Sequence, residues 1–171
     1  MALESERQRL EAERQAQATP LRVEQVARES LAAEVGRSAS WAIAGDPSPI
    51  AREIDAIDPL VGLVHYGTND MGGGATFESA LVTFYASLGA LAEGLEAQGI
   101  VPVLFGITRR GDSDAAQHWV SAFNATIRAT AQRLQTPFVD LYFAIDPLEG
   151  HGLSGDGLHL EAYDGGACLL D

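Results

Sequence analysis

The sequence contains no lysine, and its 11 basic residues, all arginine, face 24 acidic ones. The net charge of -13 argues against nucleic acid as a partner, because phosphate binding needs clustered cations and Arg109-Arg110 is the only adjacent basic pair. Cys168 is the single cysteine, so no disulfide can form within the chain. No apolar run approaches the roughly 18 residues of a membrane helix. Without a secretory signal pattern either, we expect a cytoplasmic protein with no membrane span.

What is present suits one α/β domain: 171 residues, of which 46% are hydrophobic, can bury a substantial core. Strong helix formers predict a helix over residues 2–18, and apolar spacing predicts a second over residues 23–35. We expect residues 1–36 to form an N-terminal helical arm or insertion, and residues 37–171 to form the α/β domain.

Three short apolar runs predict buried strands at residues 60–66, 100–107 and 137–141. Between them, apolar residues at steps of three and four predict one helix from Leu81 to Leu95, stopped by Gly99, and another over residues 114–134. Ser48-Pro49 has the order of a helix start before the first strand. Strands that alternate with helices in this way predict a parallel sheet covered by helices.

The stretch Gly67-Thr68-Asn69-Asp70 follows the first predicted strand, at the edge of the sheet where ligands bind. The backbone N–H of Gly67 and the side-chain amide of Asn69 are two donors that could form an oxyanion hole. The alternative is a simple turn, since Asn and Asp favour turns by bonding their own backbone.

Asp156 and His159 stand just before a predicted short final helix. Their spacing lets the carboxylate meet imidazole Nδ1 and leaves Nε2 free to take a proton from a hydroxyl. Asp156 could instead cap the following helix. A metal site with His151 as a third ligand has no recognisable spacing, so we expect neither a metal nor a cofactor.

Together, the two motifs resemble those of the SGNH, or GDSL, hydrolase family, over about residues 41–165. The resemblance implies a three-layer α/β/α sandwich, flavodoxin-like in layout, and hydrolysis of small acyl esters. It also implies that His159 is the catalytic base and Asp156 its orienting partner. Asn69 and Gly45 would be oxyanion donors, and Gly67 matches the glycine of its block.

In that family the nucleophilic serine belongs to a Gly-Asp-Ser-Leu-like block after the first strand, and the first 40 residues contain no such block. Ser113 ends the tripeptide Gly-Asp-Ser and is the candidate nucleophile within the chain, although it also suits a helix start. Ser48 is a weaker candidate for the same reason. Alternatively, the block lies upstream in a longer protein. The sheet would then lack its first strand, and self-association would be expected.

We therefore expect an ester hydrolase that acts on a small acyl ester through a Ser-His-Asp mechanism. Two alternatives remain open. The chain could be a catalytically silent relative that binds a ligand or a protein through the same cleft. It could also be a flavodoxin-like module with a phosphate loop at Gly72-Gly73-Gly74, although that triplet lacks a complete phosphate-binding motif.

Overall fold

The computed structural model describes residues 29–161. The helix predicted over residues 2–18 lies outside the described residues, as do residues 23–28 of the second predicted helix and the predicted final helix. Within the described range, no helix is both long enough and apolar enough to cross a membrane.

The sheet formed by residues 29–161 has three parallel strands in the order β1 (Val61–Val64), β2 (Val101–Phe105) and β3 (Phe138–Val139). In the register, Val61 lies opposite Val101, and Leu104 lies opposite Phe138. All three predicted strands and their parallel arrangement are confirmed, although each is shorter than predicted. The carboxyl ends of the strands therefore lie at the same edge of the sheet.

Five α-helices accompany the sheet in this part of the chain. They are α1 (Ala39–Ala42), α2 (Pro49–Ile57), α3 (Phe77–Glu96), α4 (Asp114–Leu134) and α5 (Leu141–Ile145), with short 3₁₀ helices at Asp70–Gly72 and Glu149–Gly152. The hydroxyl of Ser48 accepts from the Ala51 N–H and caps α2, as the Ser-Pro order predicts.

The core lies between the sheet and the helices α3 and α4. Phe84 of α3 and Phe123 of α4 stack with ring centroids 5.1 Å apart, and both are fully buried together with Leu104 of β2. Burial of such large side chains is the main force that holds helices on a sheet. The result is the predicted α/β architecture, a parallel sheet with flanking helices.

Alternate residues of β2 bond to its two neighbours. The Val101 N–H donates to the Leu60 carbonyl before β1, whereas the Leu104 N–H donates to the Pro137 carbonyl before β3. Pro102 therefore faces the β3 side, at a point where β3 has not yet begun. Its missing N–H leaves the pairing with β1 intact, which explains why a proline is tolerated in a central strand.

The predicted helix is wrong over residues 29–35, which form turns and irregular backbone. Tertiary contacts use the polar groups of this segment instead. The Leu31 N–H donates to the Glu53 carboxylate of α2, and the Tyr66 hydroxyl donates to the Ala32 carbonyl. Burial and the nearby charge of Asp70 raise the pKa of Tyr66 to about 12, which keeps the hydroxyl protonated as the donor.

Candidate functional site

Two turns meet the loop that follows β2. Arg110 in this loop donates to the Thr68 carbonyl at 3.1 Å, in the turn after β1. Its guanidinium also forms a two-point ion pair with Asp112, at 2.7 and 2.8 Å. The neighbouring Gly111 N–H donates to the Gly157 carbonyl at 2.7 Å. The turn that contains Asn69 and the turn that contains Asp156 and His159 are thus joined through one loop at the carboxyl edge of the sheet.

The Asp156 carboxylate and the His159 imidazole are in direct contact. Oδ2 of Asp156 lies 2.6 Å from Nδ1 of His159. Oδ1 accepts from the backbone N–H groups of Leu158 and His159 and from the Ser154 hydroxyl, at 2.8 to 3.0 Å. These bonds hold the carboxylate in one orientation. The His159 side chain is 66% exposed, and none of the described residues hydrogen-bonds to Nε2.

The same contacts set the charge of the pair. The hydrogen bond from His159, reinforced by the backbone N–H groups and by Ser154, holds the pKa of Asp156 well below its usual range. An ionised carboxylate only accepts, so the proton between the two groups belongs to Nδ1 of His159. Nε2 is then the basic nitrogen, and it faces solvent. This arrangement suits a general base.

A buried carboxylate shapes the turn after β1. Asp70 is 5% exposed, and it accepts from the Ala39 N–H at 3.0 Å and the Gly67 N–H at 3.1 Å. Burial raises the pKa of Asp70, and these backbone hydrogen bonds oppose the rise. Asp70 thereby ties the start of α1 to the turn that presents Asn69.

The Gly67 N–H is therefore already engaged, contrary to the expectation that it is open as an oxyanion donor. The structure gives another reason for this glycine. Its φ is +131°, and an added Cβ would lie 2.9 Å from the Ile107 side chain. Gly67 is required by backbone conformation and close packing.

The other two predicted oxyanion donors are both exposed. Asn69 Nδ2 donates one hydrogen to the Arg37 carbonyl at 3.2 Å, which leaves its second N–H free for a ligand. Gly45 lies in the turn between α1 and α2 with φ +88°, and no described residue accepts from its N–H. The Asn69 amide is thus oriented by the segment before α1.

The candidate serines act as helix caps in this structure. Ser113 Oγ accepts from the Ala116 N–H at 3.2 Å at the start of α4. Ser48 does the same for α2. Within residues 29–161, no serine hydroxyl hydrogen-bonds to His159. The described part of the chain therefore supplies a base and its partner but does not bring a nucleophile to them.

His151 is not part of this pair. Its Nδ1 lies 2.9 Å from the Asp146 carbonyl oxygen, and Asp146 also pairs with Arg109. Among the described residues, no cluster of three His, Cys, Asp or Glu side chains is arranged to hold a metal ion. At the glycine triplet, a Cβ on Gly74 would lie 2.5 Å from the Ser79 hydroxyl, so this glycine packs against the first turn of α3.

Two features were missed by sequence reasoning. Arg110 was noted only as half of a basic pair, and its role as a bridge between the two turns depends on tertiary contacts. The second is the use of Asp70 as an acceptor for two separated backbone groups. The available signal is that Arg110 lies a few residues after the second predicted strand, in the loop at the edge of the sheet.

The family model of the GDSL-like lipase/acylhydrolase family matches residues 11–163. A search of curated proteins gave no match. Solved structures with a similar fold include a GDSL-like lipase from Bacteroides thetaiotaomicron, with a TM-score of 0.57 and 20% identity. The alignment covers 74% of this chain and 64% of the lipase.

Two further structures are similar. A putative acylhydrolase from Bacteroides fragilis gives a TM-score of 0.56 at 20% identity. This alignment covers 73% of the present chain and 62% of the acylhydrolase. An acetylxylan esterase from Geobacillus stearothermophilus gives a TM-score of 0.58 at 15% identity. This alignment covers 74% of the present chain and 61% of the esterase. The chain thus spans less than two thirds of the length of each of these three proteins.

Proposed function

Because the chain belongs to the GDSL-like lipase/acylhydrolase family, we propose that it hydrolyses carboxylic esters at the edge where β1 and β2 end. The contact between Asp156 and His159, in a turn joined to that of Asn69, carries this proposal. A base with its orienting carboxylate and an exposed amide donor are parts that acyl transfer requires beside a nucleophile.

In the proposed reaction, Nε2 of His159 takes the proton of a serine hydroxyl as its oxygen attacks the ester carbonyl carbon. Asp156 holds the imidazole through Nδ1 and stabilises the imidazolium that forms. The free N–H of Asn69 and the backbone N–H of Gly45 donate to the oxyanion. His159 then returns the proton to the leaving alcohol, and water releases the acyl group in the second half of the cycle.

We place the attacking serine outside residues 29–161. The Ser113 hydroxyl is engaged as the cap of α4, and moving it would leave the Ala116 N–H without its acceptor. A cap of this kind contributes about 1 kcal/mol. Ser113 remains the serine to test within the chain.

The substrate class proposed is a small acyl ester. Acetyl esters of carbohydrates are the first compounds to assay, because one of the solved structures of similar fold is an acetylxylan esterase. The exposed His159 side chain leaves room for a bulky alcohol.

The test measures hydrolysis of p-nitrophenyl acetate by the 171-residue chain and three variants. Without a serine beside it, Nε2 of His159 can still act as a general base on water, and general-base catalysis contributes about 10² to 10⁴. We expect His159→Ala to remove this activity and Asn69→Ala to lower kcat by about 10² to 10³. His118→Ala, an exposed histidine of α4, is the matched control and should behave as wild type.

Labelling with a fluorophosphonate tests the nucleophile. We expect no labelled serine peptide from the chain alone, whereas labelled Ser113 would assign the nucleophile to that residue. Hydrolysis that is equal in wild type and in His159→Ala would refute the hydrolase and favour a silent member of the family that binds ligands.

A further inference from the structure

The loop that follows β2 is fixed in place by side chains of α4. The side-chain amide of Asn124 accepts from the Ile107 N–H at 2.7 Å and donates to the Ile107 carbonyl at 3.0 Å. Farther along the loop, the Arg110 N–H donates to the Gln117 side chain at 2.7 Å. These bonds tie the loop backbone to one long helix at two points. The loop is therefore a firm base from which the Arg110 side chain extends.

Most donors of the Arg110 guanidinium are engaged within the protein. Nε and Nη2 donate to the two carboxylate oxygens of Asp112 at 2.7 and 2.8 Å, and Nη1 donates to the Thr68 carbonyl at 3.1 Å. Nη1 also lies 3.8 Å from Sδ of Met71. The Arg110 side chain is 15% exposed. These contacts leave little of the guanidinium for a substrate, so its role lies in holding the turn after β1.

Asp112 keeps the guanidinium in one orientation. Two parallel hydrogen bonds to one carboxylate fix both the position and the plane of the group. The hydrogen bond from Arg110 holds the pKa of Asp112 below its usual range, although the nearby charge of Asp156 opposes this effect. Asp112 is therefore ionised at neutral pH, and the ion pair persists in an assay. With its plane fixed in this way, the guanidinium directs Nη1 at the Thr68 carbonyl.

The bond from Arg110 to Thr68 determines the direction of Asn69. The carbonyl of Thr68 and the N–H of Asn69 belong to one planar peptide group, so a fixed carbonyl also fixes the backbone that carries the Asn69 side chain. The Asn69 amide itself bonds only to the Arg37 carbonyl among the described residues, at 3.2 Å. A second tie, through the backbone, is needed to hold the free N–H of this amide in one place.

The turn of His159 contacts the same loop through a different atom. The Gly111 N–H donates to the carbonyl of Gly157, two residues before His159, at 2.7 Å. The turn of His159 thus depends on the loop backbone, whereas the turn of Asn69 depends on the Arg110 side chain. Replacing that side chain should release the second turn and leave the first in place.

We propose that Arg110 is a positioning residue for the oxyanion donor Asn69 and acts through the Thr68 peptide. The inference rests on the proposed function, because the direction of the amide matters to the rate only when an oxyanion forms. A displacement of about 1 Å in such a group costs about 10² in rate. Arg110 prevents this displacement without touching the substrate.

The test is a double-mutant cycle on the hydrolysis of p-nitrophenyl acetate. Arg110→Ala should lower kcat by about 10² and leave KM within about twofold, because an oxyanion donor acts in the transition state. In the Asn69→Ala background the same substitution should lower kcat by less than about threefold, since the residue through which Arg110 acts is gone. Equal losses in the two backgrounds would mean a general structural role and would overturn the inference.

A second variant and a control complete the kinetic test, and urea unfolding confirms that each variant folds. Arg110→Lys retains the charge, but an ammonium cannot form two parallel bonds with Asp112 and also reach Thr68. It should lower kcat nearly as much as Arg110→Ala, and a wild-type kcat would overturn the inference. Arg133→Ala is the matched control, because it removes another ion pair between separate helices, with Glu93 at 2.6 Å, and should keep the wild-type kcat.

The order parameter of the Asn69 side-chain amide, from ¹⁵N NMR relaxation, separates this inference from the proposed function. It should be lower in Arg110→Ala and in Arg110→Lys than in wild type. A lower order parameter with no hydrolysis in any sample keeps the hold of Arg110 on Asn69 and refutes the hydrolase. Hydrolysis that depends on His159 and Asn69, with an unchanged order parameter and kcat in Arg110→Ala, keeps the hydrolase and overturns the inference.

Discussion

Replacing Gly157 by alanine should detach the turn that contains Asp156 and His159 from the loop after β2. Gly157 has φ +70°, and an added Cβ would lie 2.8 Å from the carbonyl carbon of Gly111 and 2.9 Å from the nitrogen of Asp112. Both contacts are with backbone atoms, so no side-chain rotation can relieve them.

Whether the turn moves depends on how the strain at the new alanine compares with the hydrogen bond that holds the turn. A left-handed conformation costs an alanine about 1–2 kcal/mol, and overpacking adds about 1–3 kcal/mol. The hydrogen bond from the Gly111 N–H to the Gly157 carbonyl contributes about 1 kcal/mol. The strain exceeds this bond, so the turn should move rather than stay in place. The free energy of unfolding then falls by only about 1–2 kcal/mol, because local displacement limits the loss.

The substitution should reduce the hydrolysis rate far more than it reduces the stability of the fold. A displacement of about 1 Å in a catalytic group costs about 10² in rate. Urea unfolding measures the stability of the variant, and hydrolysis of p-nitrophenyl acetate measures its activity. The NMR signals of His159 report its contact with Asp156. Gly155→Ala is the control, because it lies in the same turn and no atom is within 4 Å of its added Cβ. Wild-type hydrolysis and unchanged His159 signals in Gly157→Ala would refute the coupling of turn and loop.

Two further predictions concern packing and pH. Gly67→Ala should lower the free energy of unfolding by about 2–5 kcal/mol, because φ is +131° and the added Cβ would lie 2.9 Å from the Ile107 side chain. Gly72→Ala is the control and should be near neutral, because no atom lies within 4 Å of its added Cβ. Equal urea midpoints for the two variants would contradict this prediction. The folded pKa of Asp156 is below that of the unfolded chain, so its contacts stabilise the turn above about pH 4 and are lost as the pH falls through the lower folded value. The ¹³C carboxyl signal of Asp156 should therefore show no midpoint of carboxyl protonation near about pH 4, and such a midpoint would contradict the contact.

The sequence predicts the elements whose pattern depends on local spacing. α4 has the predicted bounds, since its buried side chains Val120, Phe123 and Ile127 repeat at helical steps. The strands are recognisable as short apolar runs between Pro and Gly. Their ends are not predictable, because the ladder stops where a neighbouring strand stops, as for Pro102 beside the late start of β3.

Features that depend on distant contacts escaped the sequence. Residues 29–35 have helical spacing, yet Glu53 and Tyr66 engage their backbone, and tertiary bonds outweigh a weak propensity. The spacing of Asp156 and His159 predicts their contact, because both lie in one turn. The hydrogen bond from the Gly67 N–H to Asp70 and the bridge made by Arg110 could not be predicted, because they depend on tertiary structure.

The proposed hydrolysis requires the Asn69 amide and the His159 imidazole to face one acyl group. This arrangement is tested by titrating the chain with acetate at constant ionic strength and following the ¹⁵N NMR signals of both side chains. Both signals should shift along one binding curve with a single Kd, and chloride at the same concentrations should shift neither. Shifts with two different Kd values, or a shift of only one side chain, would contradict it.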